Sequence, residues 1–282
     1  MNPGRLLRLS RAREFSTNAG QYAVGVLMAD ALHPSALLGL AATLSAGLFV
    51  FTFNTLADHQ AGQTVENPGK ALGALDAADL RVSRALRNLG LAGALACILL
   101  LAAAGGRLLA PAFLLGYLLV GYLYSSPAFR WKGVPGLEVV CNGLAHALPF
   151  FAGYLQFRAP DRLSVCYGAS FFLFVASYYL LHCVEDDRAD RRAGLRNLCG
   201  ILGVARSVKL AMGGTAAAMV PFTLAATRLP ILFIFLPFFA ISLALELKML
   251  RTGSPGPVAR LRRIGRLYGL ALFAVLAVRA WM

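Results

Sequence analysis

The chain has 282 residues, of which 58% are hydrophobic and only 14% are charged. A composition this apolar excludes a soluble globular domain and indicates a polytopic membrane protein. The net charge is +14, but the basic residues lie between the apolar segments and form no single soluble patch, so we exclude nucleic acid as a partner.

Residues 1–19 form a basic segment with four arginines, which we interpret as a cytoplasmic N-terminal tail. Nine apolar segments follow, each close to the roughly 20 residues that cross a bilayer as a helix. They cover residues 20–34, 35–57, 83–104, 107–125, 136–157, 163–184, 202–226, 229–248 and 264–281. The sequence therefore predicts an all-α membrane protein with nine transmembrane helices, in a single domain over residues 20–282.

The basic residues indicate the orientation of these helices. Most of the 27 Lys and Arg residues lie on the membrane side that carries the N-terminus. The other side keeps Arg107, Arg158, Arg162, Arg228 and Arg279. Because cytoplasmic loops of membrane proteins are rich in Lys and Arg, this asymmetry predicts a cytoplasmic N-terminus and cytoplasmic long loops. We expect the protein to lie in a bacterial-type inner membrane.

Acidic residues follow two of the apolar segments at the same membrane face. Asn54 and Asp58 end the second segment, and Asp186 and Asp190 end the sixth. Residues four apart lie on one face of a helix, and acidic residues in membrane helices are enriched at functional sites. Mg²⁺ prefers oxygen ligands and often binds through few protein groups plus a substrate phosphate. The two pairs predict a magnesium site for a phosphorylated substrate; the alternative is two solvated helix ends of mixed charge.

Three motifs occur in order along the chain. Asn54 and Asp58 match a first motif, Asn-Asp-x-x-Asp-x-x-x-Asp, in which Thr55 and Gly62 replace two of the aspartates. Residues 124–132 read Tyr-Ser-Ser-Pro-Ala-Phe-Arg-Trp-Lys, and residues 186–194 contain Asp-x-x-x-Asp followed by Arg and Gly. Together, in a frame of nine spans, they resemble the UbiA superfamily of intramembrane prenyltransferases.

The resemblance implies an enzyme that transfers a prenyl group from an isoprenyl diphosphate to a hydrophobic or aromatic acceptor. It implies that the helix bundle lies in membrane lipid and surrounds a central cavity. It implies Mg²⁺ as the cofactor, with Asp58, Asp186 and Asp190 as catalytic residues. The implied metal ligands are Asn54, Asp58, Asp186 and Asp190. The implied ligands of the diphosphate are Asn54, Lys70, Tyr124, Arg130, Lys132 and Arg196.

A narrower resemblance covers residues 132–154, together with a histidine, His182, just before the second acidic motif. This pattern is similar to the branch that prenylates carotenoids, including the lycopene elongases. It implies that Glu138 and Asn142 lie on the acceptor side, with Glu138 as an acid–base group. The alternative for Glu138 is an acidic residue at a helix N-terminus, which the helix dipole favours.

Because Thr55 and Gly62 replace two aspartates, the first site has fewer carboxylates. We expect it to bind metal weakly or only together with substrate, unless Glu66, Glu185 or Asp187 substitutes. Two alternatives to prenyl transfer stay open. One alternative is a terpene cyclase of the same family, which uses the same diphosphate site without an acceptor. The other is a non-catalytic membrane protein that keeps the fold.

Overall fold

The computed structural model describes residues 3–61, 75–104, 107–192 and 197–281. The chain forms two compact units. The first unit comprises Met1–Lys132 and Leu148–Arg158, and the second unit comprises Gly133–Ala147 and Ala159–Met282. Every regular element in the described ranges is helical, which confirms the predicted all-α class.

The first unit is built from five helices and the second half of a sixth, as far as the structure describes it. They are α1 (Pro3–Ser10), α2 (Ala12–Met28), α3 (Ser35–Gln60), α4 (Ala77–Ala103), α5 (Leu109–Ser125) and α6 (Leu137–Leu155). A short 3₁₀ turn, Trp131–Gly133, precedes α6. The first half of α6 belongs to the second unit.

The second unit continues with five described helices. They are α7 (Arg162–Arg192), α8 (Leu198–Leu202), α9 (Val204–Ala226), α10 (Leu236–Thr252) and α11 (Gly256–Trp281). A 3₁₀ segment, Pro230–Phe235, leads into α10.

Six segments of the described chain are long and apolar enough to cross a membrane. They are Ser35–Gln60, Ala77–Ala103, Arg162–Asp187, Val204–Ala226, Pro230–Thr252 and Gly256–Trp281. The other three predicted spans correspond to α2, α5 and α6, which are not among these six. The protein is therefore an all-helical membrane protein, and the count of nine transmembrane helices, like the central cavity, stays a prediction.

Several helix ends differ from their predicted positions. Helix α7 continues to Arg192, beyond the predicted end at residue 184, and α11 begins at Gly256, before the predicted start at 264. Hydropathy detects only the apolar part of a helix, whereas Glu and Arg continue a helix nearly as well as Leu. Helix α2 ends early, at Met28, because the backbone of Asp30 adopts a positive φ of 51°, which a right-handed helix excludes.

Small residues allow two helices of the first unit to approach closely. A Cβ added at Gly153 of α6 would overlap the carbonyl oxygen of Tyr22 in α2, and one added at Gly25 would overlap that of Phe150. Glycine at such crossings is typical of helix packing in membranes. A buried hydrogen bond of 2.5 Å joins the Tyr22 hydroxyl of α2 to Oε1 of Gln156, the residue that follows α6.

The N-terminal helix α1 is joined to the start of α4 by Arg5. Its Nε donates to Asp79 Oδ1 at 2.6 Å, and its Nη2 donates to Asp76 Oδ2 at 2.8 Å. The hydrogen bond to Asp79 raises the pKa of Arg5. Asp76 and Asp79 also form a reciprocal capping box at the start of α4, so this basic residue of the tail anchors a helix N-terminus.

The core of the second unit lies where α7, α9, α10 and α11 meet. Its buried residues are Leu180, Leu181, Cys183, Val184, Cys199, Val208, Ala211, Met249, Val258 and Leu261. On the neighbouring turn of α10, the fully buried Glu246 accepts a hydrogen bond of 2.8 Å from the Thr215 hydroxyl of α9. This core holds the end of α7 that leads into the second acidic motif.

Candidate active site

The first acidic motif lies in the last turns of α3. Asn54 and Asp58 share one helix face, as their spacing predicted, and Asn54 Nδ2 lies 3.4 Å from Asp58 Oδ2. The Lys132 ammonium forms an ion pair with Asp58 Oδ1. Only 8% of the Lys132 side chain and 6% of the Asp58 side chain are exposed. The structure therefore brings three of the predicted residues together in a buried cluster.

Two neighbouring hydroxyl groups complete the bonding of this motif. Ser125, at the end of α5, donates to Asn54 Oδ1 at 3.1 Å. Thr55, which stands where the family motif has aspartate, is buried and donates to the Phe51 carbonyl at 3.1 Å. The Thr55 hydroxyl is thus hydrogen-bonded within its own helix, and the side-chain oxygen of Asn54 accepts a hydrogen bond from Ser125.

The chain between α5 and α6 carries Lys132 to this cluster. Helix α5 ends at Ser125, before Pro127, which cannot donate a backbone hydrogen bond. The N–H of Arg130 donates to the Ser126 carbonyl at 2.7 Å, and Arg130 has a positive φ of 43°. This left-handed turn reverses the chain into the 3₁₀ turn that contains Lys132. Tyr124, in the last turn of α5, and Arg130, in this loop, are both half-buried.

The second acidic motif lies on α7, in the second unit. Because α7 runs unbroken to Arg192, Asp186 and Asp190 both lie within this helix, four positions apart. The Asp186 side chain is half-buried, whereas that of Asp190 lies outside the described part of the structure. Two further predicted residues, Lys70 and Arg196, fall in ranges that the structure does not describe.

Four polar side chains that sequence reasoning did not assemble lie just before Asp186. Arg262 of α11 donates from Nε to the Tyr178 hydroxyl at 3.0 Å and from Nη2 to Glu185 Oε2 at 2.5 Å. Its Nη2 also lies 3.3 Å from His182 Nδ1, and that nitrogen lies 2.8 Å from Glu185 Oε2. Tyr178, His182 and Glu185 share one face of α7. Their spacing in the sequence is the feature from which this grouping could have been predicted. Because Glu185 is held by Arg262, the contacts do not favour Glu185 as a substitute metal ligand.

Glu138 and Asn142 take part in contacts within the second unit. Glu138 is fully buried, and its Oε1 accepts the backbone N–H of Leu198, the first residue of α8, at 2.6 Å. Asn142 Nδ2 donates to the Glu138 carbonyl at 2.8 Å. Asn197 caps the same helix by accepting from the Gly200 N–H at 2.7 Å. These contacts favour a structural interpretation of Glu138, in which it positions the chain that follows the second motif.

The two acidic motifs differ in how well they fit a magnesium ion. Among the described side chains, no group of three or more His, Cys, Asp or Glu residues is arranged to hold a metal. In the first motif, both carboxylate oxygens of Asp58 and the side-chain oxygen of Asn54 already accept hydrogen bonds. Asp186 makes no ion pair with any side chain that the structure describes, and a carboxylate oxygen suits Mg²⁺. Among the described side chains, Asp186 therefore suits the ion better than Asp58.

A model of the UbiA prenyltransferase family matches residues 20–278 of the chain. The chain belongs to the UbiA prenyltransferase family. This confirms the resemblance that the three motifs indicated, and it makes the protein a prenyltransferase. Among UbiA-family relatives, the lycopene elongase/hydratase of Haloarcula japonica is 30% identical over 209 residues, which are 71% of this chain and 67% of the relative.

Solved structures of UbiA homologs share the fold. A homolog from Archaeoglobus fulgidus, bound to GPP and Mg²⁺, is 23% identical with a TM-score of 0.69, and the match covers 96% of this chain and 99% of that chain. The apo homolog from Aeropyrum pernix is 19% identical with a TM-score of 0.73 and covers the same shares. At these identities the likeness establishes the UbiA fold for this chain.

Proposed function

We propose that the protein is a Mg²⁺-dependent enzyme that transfers a prenyl group from an isoprenyl diphosphate to a lipophilic acceptor. The observation that carries this proposal is the unbroken course of α7 through Asp186 and Asp190, which puts both residues on one helix face at the end of an apolar span. Carboxylates so placed suit a hard cation on a phosphorylated substrate. A structural neighbour bound to GPP and Mg²⁺ supports the same assignment.

The reaction begins when the bond between the allylic carbon and the diphosphate oxygen breaks. When bound, Mg²⁺ supplies Lewis-acid stabilisation of the leaving diphosphate. We assign Lys132 and Arg130, from one loop, to donate hydrogen bonds to the diphosphate as its negative charge grows. Tyr124 lies in the last turn of α5, just before that loop, and we propose that Tyr124, Lys70 and Arg196 complete the group of residues that bind the diphosphate. Breaking this bond leaves an allylic carbocation on the prenyl group. An apolar, nine-helix bundle with a central cavity would exclude water from that carbocation.

We propose that the acceptor is the olefinic end of a lipophilic polyene. The support is the Haloarcula japonica relative, which is named for the elongation and hydration of lycopene. A carbon–carbon bond then forms between the allylic cation and the acceptor double bond, and the new cation on the acceptor loses a proton. We place the diphosphate site at the cytoplasmic face, in agreement with the excess of basic residues there.

Substitution of the second motif tests the assignment. We expect Asp186→Ala and Asp190→Ala to abolish Mg²⁺-dependent release of diphosphate from an isoprenyl diphosphate. Asp161→Asn, at the other end of α7, is the control, because Asn caps a helix N-terminus as well as Asp does and Asp161 lies outside the proposed site. Unchanged turnover in both alanine variants would contradict the proposal. Release without any acceptor, with a cyclic product, would show a terpene cyclase instead.

A further inference from the structure

We propose that the first acidic motif binds no divalent cation of its own, and that the Lys132 ammonium occupies the position of that cation beside Asp58. The inference rests on the proposed function, because it concerns how the enzyme neutralises a bound diphosphate. It predicts one divalent ion per chain, held by the second motif.

The first argument is the number of carboxylates. The family motif offers three aspartates after its asparagine, whereas this chain keeps only Asp58, with Thr55 and Gly62 at the other two positions. Thr55 is buried and its hydroxyl is bound to the Phe51 carbonyl. Mg²⁺ binds through one or two carboxylates together with substrate phosphates, and here the single remaining carboxylate, Asp58, is already paired with the Lys132 ammonium.

The second argument is that the described carboxylates of the first unit are all matched by basic side chains. Glu14 pairs with Arg11, Asp30 with Arg158, Asp76 and Asp79 with Arg5, and Asp58 with Lys132. The Asp58 pair is the most deeply buried of these. In the described part of this unit, no carboxylate is left over for a metal ion.

The third argument is electrostatic. A divalent cation on Asp58 would lie next to the Lys132 ammonium in a buried site, where like charges repel far more strongly than in water. The ammonium has three N–H donors. Lys132 can therefore keep its bond to Asp58 and still donate to a phosphate oxygen. Asp58 then acts as a positioning residue, which holds the lysine in place.

Counting bound metal tests this inference. The full-length protein in detergent would be titrated with Mn²⁺, in place of Mg²⁺, in the presence of an isoprenyl thiolodiphosphate whose sulfur bridge resists ionisation. Electron paramagnetic resonance of free Mn²⁺ gives the number bound. We expect one Mn²⁺ per chain. Two would overturn the inference but agree with the proposed function, and none would overturn both.

Variants separate the two motifs. We expect Asp58→Asn to keep one bound Mn²⁺ and Asp186→Asn to lose it; loss in Asp58→Asn would overturn the inference. Since the single change Asp58→Asn can leave the Lys132 ammonium buried without the Asp58 carboxylate, the neutral pair Asp58→Asn/Lys132→Met is also tested. It should still bind one Mn²⁺, with affinity for the thiolodiphosphate weaker by about tenfold or more, as expected for a lost charge-assisted hydrogen bond.

Restoring the missing carboxylates gives the converse test. We expect Thr55→Asp/Gly62→Asp, combined with Lys132→Met so that no ammonium occupies the cation position, to raise the count to two Mn²⁺ per chain. A count that stays at one would overturn the argument that the missing carboxylates and the lysine exclude a second ion.

Discussion

Replacing Arg262 by Met removes the hydrogen bonds that join α11 to the end of α7. The variant keeps most of the side-chain volume but loses the donors to Tyr178 and Glu185, at 3.0 and 2.5 Å. A hydrogen bond to a charged group contributes about 1.5–3 kcal/mol. Because 38% of the Arg262 side chain and 22% of the Glu185 side chain are exposed, water replaces part of this contribution in the variant. We therefore expect the free energy of unfolding to fall by about 1–2 kcal/mol.

Thermal unfolding in detergent, followed by circular dichroism, measures this loss. A change of that size lowers the midpoint by roughly 2–8 °C for a chain of this size class. Arg263→Met is the control, since Arg263 is the next residue and is exposed. Arg262→Lys should recover part of the loss, because a lysine can keep the charge but cannot reach several partners in a planar fork.

A double-mutant cycle with Glu185→Gln tests the pairing itself. If Arg262 acts through Glu185, the two changes together should cost less than the sum of their separate effects, with a coupling of about 0.5–3 kcal/mol. Equal unfolding midpoints for Arg262→Met and Arg263→Met, or full additivity in the cycle, would refute the reasoning.

Two further changes test helix contacts by the same unfolding measurement. Glu138→Leu should lower the free energy of unfolding by about 1–3 kcal/mol more than Glu138→Gln does, because leucine leaves the Leu198 N–H without its acceptor. If Glu138→Gln keeps full stability but loses turnover, Glu138 would instead be an acid–base group. Gly153→Ala should cost about 1–3 kcal/mol by overpacking against the Tyr22 backbone, whereas Gly20→Ala, which meets open space, should stabilise α2 by about 0.5–1 kcal/mol. Equal effects at the two glycines would contradict the close approach of the helices.

The sequence was sufficient for the helical class and for the polar pair, Asn54 and Asp58, on α3. Spacing alone predicted that Asn54 and Asp58 share a face, and the resemblance to the family implied that Lys132 binds the same diphosphate. In the structure Lys132 contacts Asp58, although 74 positions separate the two residues. The ion pair itself was not predicted, because both residues had been assigned to ligands of the diphosphate and its metal.

Contacts between distant helices were beyond sequence reasoning. Arg262 and Glu185 lie 77 positions apart, and hydropathy shows that a segment spans a membrane without showing which helix lies beside it. Glu138 was similarly ambiguous, since an acidic residue at the start of α6 fits both a helix-dipole interaction and a catalytic group. Its hydrogen bond to Leu198 depends on the position of α8. This helix has five residues and is too short to show a periodic pattern of apolar residues.

Diphosphate release measured against acceptor consumption tests prenyl transfer most directly. The purified protein would be given isoprenyl diphosphates of graded length, with and without Mg²⁺ and with and without a polyene or membrane-lipid extract, and products would be identified by mass spectrometry. We predict release that requires both Mg²⁺ and acceptor, matched mole for mole by an acceptor that has gained one prenyl unit. Release that proceeds equally well without Mg²⁺, or without any prenylated acceptor, would contradict Mg²⁺-dependent prenyl transfer.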